Sequence, residues 1–139
     1  MTLAVDTSVA VALVMTSHVA HRAVRRQLRG RDLVLTQHSL AETYSVLTRL
    51  PGDARVAPAD AVRLIDANFG RPALVPAATA ATVPALLAEL EIVGGSVYDG
   101  LVGLAAKAND LPLATRDLRA AATYDAIGVD VIAILDDDG

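Results

Sequence analysis

Four acidic residues stand at the edges of apolar segments: Asp6, Glu42, Asp99 and Asp117. Their surroundings are AVDTS at 4–8, SLAET at 39–43, SVYDGL at 96–101 and ATRD at 114–117. A charge at the rim of a core is costly unless something pairs with it. If the four carboxylates converge, they form an all-oxygen donor set of the kind that hard divalent cations such as Mg²⁺ or Mn²⁺ prefer. Two carboxylates about 4 Å apart repel by roughly 4 kcal/mol at an effective dielectric of about 20. A tight cluster therefore holds a proton or binds a cation. A metal at such a site polarises phosphoryl oxygens, acidifies water and stabilises a leaving oxygen, so the chemistry implied is phosphate-ester cleavage without histidine or cysteine.

Each acid also has a purely structural reading. Asp6, Asp99 and Asp117 are suited to cap or nearly cap helices, a role worth roughly 0.5–2 kcal/mol. Ser39 and Glu42 have capping-box spacing. Caps alone predict ordinary neighbours, whereas a shared site predicts small polar groups beside the acids, and Thr7, Ser8, Thr43 and Thr115 are there.

The positioning elements follow from the hydrophobic pattern. Strands are expected at 3–5, 33–36, 73–76, 113–115 and 129–134. Helical spacing covers about 7–15, 18–29, 38–50, 58–68, 80–91, 98–108 and 117–123. Strands alternating with helices imply an α/β fold with a parallel sheet covered on both faces. Sites in open sheets of this kind form beyond the carboxyl ends of the strands. Asp6 directly follows the first strand and Asp117 lies two residues past LAT, so topology places them at one edge. Glu42 and Asp99 are expected in first helical turns, within reach of it.

The chain of 139 residues reads as one domain, 1–139. Hydrophobic residues make up 53% and aromatics 3%, so the core is aliphatic. No apolar run approaches a membrane span, and the opening MTLAVDTS lacks the basic start of a secretory leader. The absence of cysteine excludes disulfides and thiolate chemistry and is compatible with the cytoplasm. DDDG at 136–139 reads as a solvated tail.

The net charge of −4 argues against binding nucleic acid through bulk charge. Five arginines nevertheless fall between 22 and 31. Arg22, Arg25 or Arg26, and Arg29 share a helical face, either a solvated surface or a phosphate-tracking patch beside the acids. Arg116 is placed to pair with a carboxylate or a substrate phosphate. His18, His21 and His38 lack zinc-motif spacing and read as surface or capping residues. Three tyrosines and one phenylalanine leave little for base stacking. No glycine-rich phosphate loop is present.

LAVDTSVAVAL at 3–13, the Glu42 helix, SVYDGLVGLAAK at 96–107 and LATRDLRAAATY at 113–124 resemble the PIN-domain ribonucleases, and more narrowly VapC-type toxins of bacterial toxin–antitoxin pairs. The resemblance spans nearly the whole chain, with four motifs in order. It implies a three-layer α/β/α fold with a parallel sheet of about five strands. It also implies Mg²⁺- or Mn²⁺-dependent endonucleolytic cleavage of RNA, a homodimer and a VapB-type antitoxin. The four acids of the family match Asp6, Glu42, Asp99 and Asp117. Asp6, Asp99 and Asp117 are then the expected metal ligands, Glu42 a completing residue, and Thr7, Thr115 and Arg116 their support. Many relatives carry another acid two residues after the fourth; here that position is Arg119.

Two other classes compete with this reading. A catalytically weak PIN-like scaffold that binds RNA or a protein is motivated by Arg119. A phosphohydrolase acting on small esters would use the same acids.

Overall fold

The computed structural model describes residues 1–136, so most of the acidic tail at 136–139 lies outside the described residues. Four short strands, β1 (Thr2–Val5), β2 (Asp32–Leu35), β3 (Leu113–Thr115) and β4 (Val131–Ala133), form one sheet in the order β2-β1-β3-β4. All three pairings are parallel, with Val5 opposite both Leu35 and Ala114, and Thr115 opposite Ala133.

The period of two along each strand divides the core. Leu3, Val5, Leu35 and Ala114 face one apolar cluster; Ala4, Val34 and Leu113 face another. The first cluster is completed by Val9 of α1 (Thr7–Val14), Val24 of α2 (His21–Gln27), Leu47 of α3 (Gln37–Thr48) and Ile65 of α4 (Pro58–Asn68). After the short α5 (Ala77–Ala80), the second cluster draws on Leu87 of α6 (Val83–Glu89), Val102 and Leu104 of α7 (Ser96–Ala108), and Tyr124 and Ile127 of α8 (Leu118–Ile127). Helices therefore cover both faces, as the alternating pattern requires.

Three expectations need correction. The segment 73–76 is not a fifth strand: it contributes a single parallel bridge, Thr36 to Ala73, and among the described residues the sheet has four strands. Pro72 and Pro76 flank the segment, and neither has an N–H to extend a ladder. The helix expected over 80–91 is shorter, α6 at Val83–Glu89 with Pro84 in its first turn, and the separate α5 ends at Ala80. Helix α3 begins at Gln37, directly after β2, so its capping box joins Thr36 to Ser39 and leaves Glu42 out. Glu42 consequently lies in the second turn of α3.

β2 and β3 lie on opposite sides of β1, so the chain reverses direction across the sheet at β1 and β3. The crevice beyond the carboxyl ends of these two strands is where an open parallel sheet places its ligands. Asp6 and Thr115–Asp117 sit there.

Candidate active site

Asp6 directly follows β1 and caps α1, accepting from the Val9 N–H. The same Oδ1 accepts from Ser8 Oγ, and Oδ2 accepts from Tyr124 Oη at 2.9 Å. The residue is 5% exposed. Burial pushes its carboxyl above the ordinary value of 3.8, while the hydroxyl and amide donors around it, Ser8 and Tyr124 included, pull the other way. Burial and the Asp6 charge drive the Tyr124 hydroxyl far up, so Tyr124 stays a donor.

The β3 end is tied to Asp6 through Ser8. The Arg116 N–H donates to Ser8 Oγ at 2.9 Å, and the Asp117 N–H donates to Thr115 Oγ1 at 3.0 Å. Thr115 is 1% exposed. Asp117 caps α8, its Oδ1 accepting from the Arg119 and Ala120 N–H groups. The capping reading of Asp6 and Asp117 is thus correct, and each keeps carboxylate lone pairs for other partners. Asp99, in the first turn of α7, is not a cap.

Asp6, Glu42, Asp99 and Asp117 all line one pocket of about 250 Å³, together with Thr7, Ser8, His38 and Tyr124. The electrostatics report the same convergence. The Asp99 carboxyl is held above 3.8 first by burial, then by the charges of Asp117, Asp6 and Glu42 in that order, with His38 opposing them. Asp99 of α7 therefore senses the acids that follow β1, sit on α3 and cap α8, across a single cleft.

The expected second layer divides. Thr7 lines the pocket and Thr115 holds the Asp117 backbone. Arg116 supports Ser8 through its N–H, while its guanidinium lies 3.5 Å from Asp136, so its carboxylate partner is outside the acidic cluster. Thr43 does not line the pocket; its hydroxyl is buried without a partner among the described residues. Arg22, Arg25 and Arg26 are exposed on α2; Arg29 is also exposed but lies past the end of that helix, which stops at Gln27 short of the expected 29, and none of the four lines the pocket. Lys107 caps the end of α8 by donating to the Ile127 carbonyl at 2.9 Å.

Two pocket residues were not anticipated. His38 Nε2 lies 3.1 Å from Glu42 Oε2. An ionised carboxylate only accepts, so the ring nitrogen is the donor and fixes that oxygen. The i, i+4 spacing of His38 and Glu42 was the available signal. Tyr124 follows Asp117 by two helical turns, a spacing that keeps it on the same side of α8.

The donor set fits a hard divalent cation. It is made of carboxylate oxygens with neighbouring hydroxyls, and Asp99 is in the electrostatic position that a cation relieves. The acids line the pocket without converging on one point: among the described residues, no group of three or more Asp, Glu or His side chains is close enough to hold an ion on its own. Mg²⁺ commonly retains several waters and takes only one or two carboxylates directly, so a spread of single carboxylates along a pocket suits it.

Residues 3–126 match the PIN domain family. Ribonuclease VapC27 of Mycobacterium tuberculosis is 53% identical over 130 residues, covering 94% of this chain and 95% of that protein. Among solved structures, VapBC2 of Rickettsia felis bound to a DNA fragment from their promoter aligns with a TM-score of 0.67 at 14% identity, covering 96% of this chain and 98% of that one. VapC20 of Mycobacterium tuberculosis, described as a sarcin-ricin loop cleaving toxin, aligns with a TM-score of 0.63 at 23% identity, covering 86% and 93%. At those identities the structural likeness is one of fold. The breadth of the family match and the 53% identity to a VapC ribonuclease decide the identity: the chain belongs to the PIN-domain family, in its VapC group of ribonucleases.

Proposed function

We propose that this protein is a divalent-metal-dependent endoribonuclease and the toxin of a VapBC-type toxin–antitoxin pair. The observation that carries the reading is the convergence of Asp6, Glu42, Asp99 and Asp117 on one pocket at the switch point of the sheet. The 53% identity to a VapC ribonuclease supports the RNA substrate and the paired antitoxin. No helix among the described residues is long and apolar enough to cross a membrane; an enzyme that cuts cellular RNA would do so in the bacterial cytoplasm.

Asp6, Asp99 and Asp117 are the residues that would hold Mg²⁺ or Mn²⁺, directly or through water. When bound, the ion supplies positive charge that offsets the phosphodiester and acidifies a water. The protein's own groups do the positioning. Tyr124 and Ser8 fix the two oxygens of Asp6, and the α8 amides fix Asp117. Glu42 is oriented through Oε2 by His38, leaving Oε1 to accept the proton of the attacking water. The scissile P–O bond breaks as that water adds, and the leaving oxygen is protonated from solvent. The scaffold alternative gains nothing from Arg119, which is exposed and offers the pocket only its backbone N–H, through Asp117.

The test is cleavage of total cellular RNA by purified, antitoxin-free protein. Discrete fragments with added Mg²⁺ or Mn²⁺, abolished by EDTA, are expected. Equal fragmentation with and without EDTA, or none under any condition, contradicts the reading. Hydrolysis of small phosphoesters without RNA cleavage would favour the other hydrolase class.

A further inference from the structure

The chain has few aromatic rings, and the structure uses them unequally. Tyr124 is buried against Asp6, and Phe69 packs on the core. Tyr98 is 57% exposed although it neighbours Asp99 in sequence. Its ring stacks on His38, with centroids 5.4 Å apart and planes 19° apart. His38 in turn walls the acidic pocket and also an adjoining, largely apolar cleft of about 580 Å³ lined by Val75, Val83 and Leu101. An aromatic pair thus stands beside the acids, with half of Tyr98 still open to cover.

We propose that the stacked His38–Tyr98 pair is a nucleobase platform that receives a base of the RNA strand next to the scissile phosphate. The proposal rests on the ribonuclease reading above. A phosphate engaged at the acidic pocket carries bases on flexible sugars to either side, and the platform takes the base on the side walled by His38. Every base has a π face, so stacking adds affinity without requiring a particular sequence. It also offsets a difficulty of the site: four carboxylates repel a polyanion, and net charge −4 gives no general attraction. Stacking is worth about 1–3 kcal/mol per base, which is roughly a 5- to 150-fold change in affinity.

A structural alternative gives Tyr98 no contact with RNA and makes its ring a prop for His38 and, through it, Glu42. The two roles separate kinetically. A platform contributes to binding, so its loss raises KM; a prop acts on the proton acceptor, so its loss lowers kcat.

The experiment compares the unsubstituted protein, Tyr98→Leu and Tyr98→Phe in cleavage, and the same changes on an Asp99→Asn background in binding. The binding probes, in Mg²⁺, are a fluorescent single-stranded RNA oligonucleotide of mixed sequence and an abasic ribose-phosphate oligomer of equal length. Thermal unfolding checks that each variant is folded. The platform predicts that Tyr98→Leu weakens RNA binding by about tenfold, loses the preference for RNA over the abasic oligomer, and raises KM with kcat kept. Tyr98→Phe keeps all three properties. Unchanged binding and KM in Tyr98→Leu, with cleavage intact, overturns the platform and leaves the ribonuclease standing. A loss confined to kcat also overturns it, in favour of the prop. Absence of both RNA cleavage by the unsubstituted protein and RNA binding overturns the platform and the reading beneath it.

Discussion

Tyr124 Oη donates to Asp6 Oδ2 at 2.9 Å across 118 residues of sequence. The bond joins the last helix to the end of the first strand, so Asp6 is held by the far end of the chain. The approach of α8 to α7 that permits this is close: a Cβ on Gly103 would lie 2.9 Å from Ile127 Cδ1 and 3.4 Å from Tyr124 Cδ1.

Replacing Tyr124 by Phe keeps the packed ring and removes only this donor. A hydrogen bond to a charged group contributes about 1.5–3 kcal/mol, so Tyr124→Phe is expected to lower stability by that order. Cleavage should fall by roughly tenfold as Asp6 loses its fixed orientation, equivalent to about 1.4 kcal/mol in the barrier. Thermal unfolding and steady-state cleavage check both. Unchanged values for both would show that Asp6 does not depend on Tyr124.

The acidic cluster predicts a trade between stability and activity. Asp6 and Asp99 both titrate above 3.8 in the fold. Above that pH the native state binds more protons than the unfolded chain, so metal-free stability falls as pH rises from 3.8 through the raised values. Asp99→Asn removes a charge that repels Asp117, Asp6 and Glu42. Its melting temperature in EDTA should exceed that of the unsubstituted protein by a few degrees at pH 7, on the order of 1 kcal/mol. The gap should close as pH is lowered toward 3.8. A variant less stable than the parent at pH 7 would mean that Asp99 is not under repulsion.

A cation that relieves this repulsion stabilises the fold by mass action. At about 100 times its dissociation constant, Mg²⁺ or Mn²⁺ should add roughly 2.7 kcal/mol. EDTA should reverse the gain, Asp99→Asn should weaken it, and acidification should erase it because protonated carboxylates do not bind metal. Calorimetry with the purified protein measures all three. No shift with either ion would remove the metal from the account.

The arginines of α2, and Arg29 just beyond it, lie outside the pocket, so any role for them is in holding RNA. Arg25→Glu with Arg29→Glu is expected to raise KM several-fold and leave kcat unchanged. The salt dependence of binding should flatten by about one unit of slope for each lost phosphate contact. Identical binding across salt concentrations would assign these residues to a solvated face.

The parts of the site that lie in sequence at strand ends were legible. Asp6 after LAV and Asp117 after LAT fall at one sheet edge from topology alone, and the structure places both there. Helix α4 follows the sequence reading at Pro58–Asn68 because proline starts it and its apolar residues recur at helical spacing. Local rules failed where tertiary position decided. Ser39 is an N3 residue because β2 runs straight into α3, which a capping-box pattern does not reveal. His38 read as a surface residue because its partners, Glu42 and Tyr98, include one from another helix. Tyr124 read as one more scarce aromatic because its partner is at the opposite end of the chain.

The four acids are proposed to act as one cleavage site. The most direct measurement is RNA cleavage by folded Asp6→Asn and Asp99→Asn proteins beside the unsubstituted protein, all with Mn²⁺ or Mg²⁺ and free of antitoxin. A shared site requires a loss of at least a hundredfold in both variants, with unfolding transitions that remain cooperative, consistent with removing about 2.7 kcal/mol or more of transition-state stabilisation. Full cleavage by either folded variant would contradict it.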